Sequence, residues 1–287
     1  MAKNNTSVNT GKHGRSDLVR FGNTDIYVSR MVQGTAFRNM PRSPENQVGL
    51  RVLQHCLDVG LNFFASGGGY GMGGCERLLA KAIAGRRDQA VICNKMVNIG
   101  VPLDAEEGDD TGFSKYTRDF IFRETDRSLK RLGTDYIDFL VIGRPDGITE
   151  GLKGATPEQV ETFLRCYKDG ADPTSSEELV DTMDALVKTG KVRYWGVTNR
   201  SKENIVELMQ VCEKTGKAPV SCLQYNYCLP GGSAEGPEGL FPLIRRTGVG
   251  LMTHGPHGAG DLVPGYVAEP GSALADALEV LDGVAGD

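Results

Sequence analysis

Histidine is scarce in this chain, with four in 287 residues. Two of the four stand as an HxxH pair, His254 and His257, within THGPHGAGD. An imidazole titrates near neutrality, so the pair suits acid–base work or substrate contact; with Asp261 close behind it could instead bind a metal, although HxxH on a loop fixes no geometry, and the bland reading is two incidental loop histidines. A second cluster runs Ser66–Gly67–Gly68–Gly69 and ends at Tyr70. The backbone N–H groups of such a run can cradle a phosphate, but a flexible turn that delivers the tyrosine is the favoured reading. Seven cysteines (Cys56, Cys75, Cys93, Cys166, Cys212, Cys222 and Cys228) are irregularly spaced and form no CxxC unit. Several lie inside apolar patterns, where a thiol packs as a small hydrophobe, so reduced thiols, a cytoplasmic setting and no metal site are expected.

Chemistry at strand ends needs strands that converge. A hairpin is expected first, over 18–21 and 26–28 with a turn at Gly22–Asn23. Apolar, β-branched runs follow at 31–35, 62–65, 90–95, 137–142, 194–198, 221–225 and 250–254. Helical patterns lie between them at 47–59, 75–84, 118–132, 176–189 and 202–212, with another at 272–281. The pattern at 118–132 opens on acidic residues and ends in Lys130–Arg131–Leu132–Gly133, a cationic last turn and a glycine stop. Near-continuous apolar strands alternating with helices predict a parallel sheet, and seven such units favour a barrel over a doubly wound sheet. No GxGxxG opens a helix after the first strand, which speaks against a Rossmann fold. Two stretches, 98–116 and 147–174, exceed ordinary loop length and read as covers or insertions, the second with a short helix at 157–167.

The bulk numbers agree with one α/β domain over 17–287 preceded by a polar, flexible arm, 1–16. The length is within reach of a single barrel of about 250 residues. Apolar residues make up 39% and charged residues 24%, enough for a sizeable core. With a net charge of −5 and no basic stripe, no nucleic-acid partner is expected. No apolar run reaches the ~20 residues of a membrane helix, and the arm lacks the apolar centre of a signal peptide. The expected partner is a small-molecule substrate.

Several phrases are similar to the aldo-keto reductases. LVRFGNTDIYVSRMVQGTA (18–36) resembles their hairpin and first strand, and GLNFFASGGGYGMGGCERLLAKAI (60–83) their second strand and following helix. SLKRLGTDYIDFLVIGRPD (128–146) and GKVRYWGVTNRS (190–201) are especially close. The resemblance covers 18–262 and implies a (β/α)8-type TIM barrel with an N-terminal hairpin. It implies carbonyl reduction with NADPH through an Asp, a Tyr, a Lys and a His. Tyr70 matches the proton-donating tyrosine and Lys95 the lysine. Ala65 stands at the aspartate position, and Gly143 at the histidine preceding RPD. Asn199, Gln224 and Tyr227 match positions that hold the nicotinamide, whereas Gly255 replaces a serine near the pyrophosphate. After helix 272–281 the chain stops at Asp287, so the barrel is expected to be incomplete or open at its eighth unit. Its exposed edge then needs a cover, such as a second copy in a homo-oligomer, the N-terminal arm or a rearranged terminus.

Two shrunken side chains, together with the eighth strand and helix that the resemblance implies but the chain stops short of, and which carry the loop that grips the adenosine phosphate, lead to the expectation of a repurposed enzyme. Tyr70, Lys95, His254 and His257 would do acid–base chemistry without a cofactor: dehydration, elimination, isomerisation or cyclisation of a small carbonyl-, sugar- or polyketide-like molecule. Lys95, without its carboxylate, is free to act as a base or Schiff-base nucleophile, and one of the histidines replaces the role lost at Gly143. Ala65 and Gly143 would leave room for the ligand, contacted also by Asn199, Gln224 and Tyr227. Cys75 and Cys228 are expected to pack, and Arg144 and Asp146 to hold a loop. The alternatives are an NADPH-dependent reductase with a degenerate tetrad, and a non-catalytic binding or regulatory subunit.

Overall fold

The computed structural model describes residues 18–37, 40–97, 114–143, 174–227 and 239–255. A short antiparallel hairpin, β1 (Val19–Arg20) and β2 (Tyr27–Val28), comes first. Seven parallel strands follow in sequential order: β3 (Val32–Gly34), β4 (Phe63–Gly67), β5 (Val91–Met96), β6 (Ile137–Ile142), β7 (Val192–Thr198), β8 (Val220–Asn226) and β9 (Gly250–His254). Between them run α1 (Gln47–Asp58), α2 (Gly74–Ile83), α3 (Arg118–Leu132), α4 (Ser176–Lys188), α5 (Lys202–Thr215) and α6 (Leu240–Thr247). This is the expected (β/α)8-type architecture, nearly closed, with its hairpin.

The helices start and stop where local chemistry dictates. Asn46, Thr117, Ser175 and Ser201 each accept a hydrogen bond from a backbone N–H of the first turn of α1, α3, α4 and α5. Gly133, the expected stop of α3, is left-handed at φ 62°. α6 was not anticipated. It has eight residues, carries Pro242 in its first turn and is capped by Gly239 without a side-chain hydrogen bond, so it lacks the usual start signals. Among the described residues no helix is long and apolar enough to cross a membrane. The helical patterns at 157–167 and 272–281 lie outside the described residues.

Strand alternation divides the core into two layers. One lies between sheet and helices and includes Phe64, Leu79, Ile92, Leu140, Trp195 and Leu223. The other fills the barrel lumen with Phe63, Cys93, Phe139, Val141, Cys222 and Met252, and the hairpin adds Phe21, Ile26 and Val28. Phe21 meets Phe63 and Phe139 edge-on, with centroids 5.4 and 4.8 Å apart, which plugs the lumen at its N-terminal end. Outside the barrel, Glu76 of α2 and Arg131 of α3 form a fully buried ion pair. Asn94 donates to the free Glu76 oxygen at 2.8 Å and Arg131 donates to Ser128 at 3.1 Å, so the pair is solvated by protein.

β3 and β9 are the edges of the sheet, and among the described residues no strand joins them. A cavity of about 500 Å³ lies between these edges, lined by Val32 and Gly34 on one side and by Leu251, Thr253 and His254 on the other. Among the described residues this gap falls where an eighth unit would stand.

Candidate active site

Positions two apart on a strand share a face. Ala65 and Gly67 therefore follow Phe63 into the lumen, Lys95 follows Cys93, Gln224 follows Cys222 and His254 follows Met252. Because all seven strands run the same way, these residues meet at one end, the C-terminal mouth of the barrel.

Tyr70 reaches this mouth by a turn in which its N–H donates to the Gly67 carbonyl at 3.0 Å. The Lys95 ammonium lies 5.2 Å from the Tyr70 ring centroid, and both residues are half-buried. The approach depends on Gly67, which pairs with Lys95 across β4 and β5. A Cβ there would sit 2.7 Å from the Lys95 carbonyl oxygen. Ser66 and Gly67 belong to β4, and the Ser66 hydroxyl accepts from Thr35 at 2.9 Å on the outer face. The glycine run is thus part strand and part turn, where a turn throughout is expected from sequence.

The two shrunken positions were expected to leave room for a ligand, and they differ. Ala65 lines the cavity. Gly143 is a correction: a Cβ there would lie 2.9 Å from the hydroxyl of Tyr116, which fills that space. Tyr116 is buried just before the cap of α3, and Gly143 is pinned by its N–H to Met96 and by Arg200, which donates to its carbonyl at 2.7 Å. The aromatic residue directly before the helix cap at Thr117 was the one signal for Tyr116, as such residues often pack back on the first turns. Its contact with Gly143 joins distant elements and carries no sequence mark.

On the far wall, the His254 ring nitrogen Nε2 stands 3.4 Å from Asn199 Oδ1. Burial, and then the charge of Lys95, lowers the His254 pKa below its ordinary 6.5 and favours the neutral ring. Asn199 takes a left-handed φ of 56°, and its N–H donates to the Gln224 carbonyl at 3.3 Å. Gln224 is buried, and its side-chain carbonyl oxygen has no hydrogen-bond partner among the described residues. The same is true of the hydroxyl of Thr198, its register partner on β7, which sequence reasoning passed over. Tyr227 donates its N–H to the His254 carbonyl at 3.2 Å, while its ring packs in the helix layer, edge-on to Phe241 at 5.4 Å. Burial pushes the Cys75 thiol up to about 11, so it is a packing residue. His257, Asp261, Cys228, Arg144 and Asp146 lie outside the described residues.

The chain matches the Aldo/keto reductase family over residues 30–276. It is 24% identical over 302 residues to the aldo-keto reductase AMT2 of Alternaria alternata, which covers 97% of this chain and 74% of that protein. Of two other curated relatives it spans little more than half the length, 55% and 56%. The solved aldo-keto reductase AKR11C1 of Bacillus halodurans, in its holo form, superimposes with a TM-score of 0.64 at 21% identity, covering 93% of this chain and 76% of that one. An aldo/keto reductase of Klebsiella pneumoniae, solved with NADP and acetate, superimposes with a TM-score of 0.60 at 25% identity, covering 86% and 71%. These findings overturn the expectation of a site without a cofactor. They favour the reductase alternative over cofactor-independent lyase or isomerase chemistry. With most of its length matched, the chain belongs to the aldo/keto reductase family.

Proposed function

We propose that this chain reduces a small carbonyl compound with NADPH, Tyr70 giving the proton to the carbonyl oxygen. The observation that carries this reading is the Lys95 ammonium 5.2 Å from the Tyr70 ring centroid, at the end of a barrel where such enzymes place their chemistry. A positive charge there stabilises the phenolate that Tyr70 becomes on giving up its proton.

The described residues fit the nicotinamide end of the cofactor. Gln224 keeps a buried side-chain oxygen without a partner, an arrangement that costs free energy unless a donor arrives. A carboxamide N–H is such a donor, and Asn199 beside it offers a second amide. When bound, NADPH supplies a hydride to the carbonyl carbon. His254, held neutral beside Lys95, offers a ring N–H or lone pair to the substrate, the part that the resemblance gives to the histidine absent at Gly143.

The test is a fluorescence titration of the folded protein with NADPH, followed by carbonyl-dependent loss of the nicotinamide absorbance. Saturable binding is expected, weakened roughly tenfold in Gln224→Ala by loss of one buried hydrogen bond. Tyr70→Phe is expected to bind NADPH normally and to lose reduction. Absence of saturable binding at millimolar NADPH would end the proposal.

A further inference from the structure

Among the described residues, the lumen mouth carries an unbalanced charge. Its inward positions Ala65, Gly67, Lys95, Thr198, Gln224 and His254 include one lysine and no carboxylate. The Lys95 ammonium makes no hydrogen bond or ion pair with any described residue and lies over the Tyr70 ring. The buried carboxylate nearest in sequence to Tyr70, Glu76, is on the other side of the sheet and already paired with Arg131. A partly desolvated cation without a counter-charge is costly and is relieved by any anion that can reach it.

Among the described residues, space for that anion opens on the Ala65 side and not on the Gly143 side. Gly143 is closed by the Tyr116 hydroxyl, whereas Ala65 borders the cavity together with Gln224 and His254. Ala65 pairs with Cys93, so it is a diagonal neighbour of Lys95 on the same face, with Cβ atoms roughly 7 Å apart. A methyl group at that distance leaves the reach of the ammonium open for a carboxylate that arrives with the ligand.

We propose that the substrate is a short oxo acid, whose carboxylate seats against Lys95 over Ala65 and whose carbonyl is presented to Tyr70. This rests on the reductase reading. The carbonyl carbon takes a hydride from NADPH and its oxygen takes the Tyr70 proton, giving a hydroxy acid and NADP⁺, and Tyr70 recovers its proton from water. Since Lys95 lies beside Tyr70, carboxylate and carbonyl are only a few bonds apart. Ala65 is then the specificity-determining position.

Pyruvate and levulinate, each against its methyl ester, test this by calorimetric binding to the NADPH-loaded protein and by kcat/KM. The acids are expected to be favoured by about 10–100-fold, the range of one charge-assisted hydrogen bond. Ala65→Asp supplies an internal carboxylate and is expected to abolish that ratio, while Ala65→Asn, of the same size without the charge, retains it. Esters bound as well as acids by the unsubstituted protein, or an unchanged ratio in a folded Ala65→Asp, overturn the proposal. Acid-selective binding that Ala65→Asp removes, with no NADPH consumed, supports the anion seat and sinks the reductase reading instead. Esters reduced as fast as acids do the reverse.

Discussion

Replacing Gly67 with alanine is expected to disable the site from within the sheet. The added Cβ would stand 2.7 Å from the Lys95 carbonyl oxygen and 3.2 Å from the Lys95 Cβ. Non-bonded carbon contacts settle at about 3.5–4.0 Å, so β4 and β5 must part by roughly 0.5–1 Å at this rung. The obstructing atom is sheet backbone and cannot swing aside. Overpacking of this kind costs about 1–3 kcal/mol, which in a chain this size lowers the melting temperature by about 2–10 °C. Lys95 moves with its strand, and a misplacement near 1 Å lowers kcat by as much as about 100-fold. Gly69→Ala is the internal control, since its Cβ would meet only Val97 Cγ2 at 3.5 Å, an ordinary contact. Thermal melts and carbonyl-dependent NADPH oxidation of the two variants decide the matter. A Gly67→Ala protein with unchanged melting and kcat, or a Gly69→Ala protein equally damaged, would refute the reasoning.

Three further outcomes are expected. The His254 pKa is depressed, so its neutral form is preferred by the folded state. Its contribution to stability is whole above pH 6.5 and drains away as the pH falls from there through the folded value. Urea midpoints measured against pH should show a shallower acid-side decline in His254→Gln. Proton NMR titration should place the ring below 6.5, and Lys95→Met should move it upward. Glu76→Gln strands the Arg131 charge in a fully buried place and is expected to cost about 3–5 kcal/mol in urea unfolding, whereas joint replacement of both partners by apolar residues costs far less. Gly143→His, which supplies the histidine that the resemblance implies there, is expected to lose about 1–3 kcal/mol in the same assay and to gain no reductase rate, because Tyr116 already holds the space.

The fold was legible because most barrel units repeat one code, an apolar run and then an amphipathic helix. The strands at 137–142 and 250–254 match residue for residue. α6 escaped because a short helix with a proline in its first turn and a glycine cap shows neither start signal nor a full periodic face. The site was legible as far as alternation reaches: strand-end residues on a lumen face must converge, and Lys95, Gln224 and His254 do. What sequence could not supply is the neighbour across space. Ala65 and Gly143 look alike in a sequence, each a small residue where a functional side chain belongs. Read from sequence, both leave room for a ligand. A small residue states only that its own side chain is missing, and says nothing of whose atoms fill the gap. At Gly143 the gap is filled by Tyr116, so that position fixes a loop end. At Ala65 it opens on the cavity, and among the described residues the Lys95 ammonium on the same face has no ion-pair partner, which is the loss that the proposed anion seat uses.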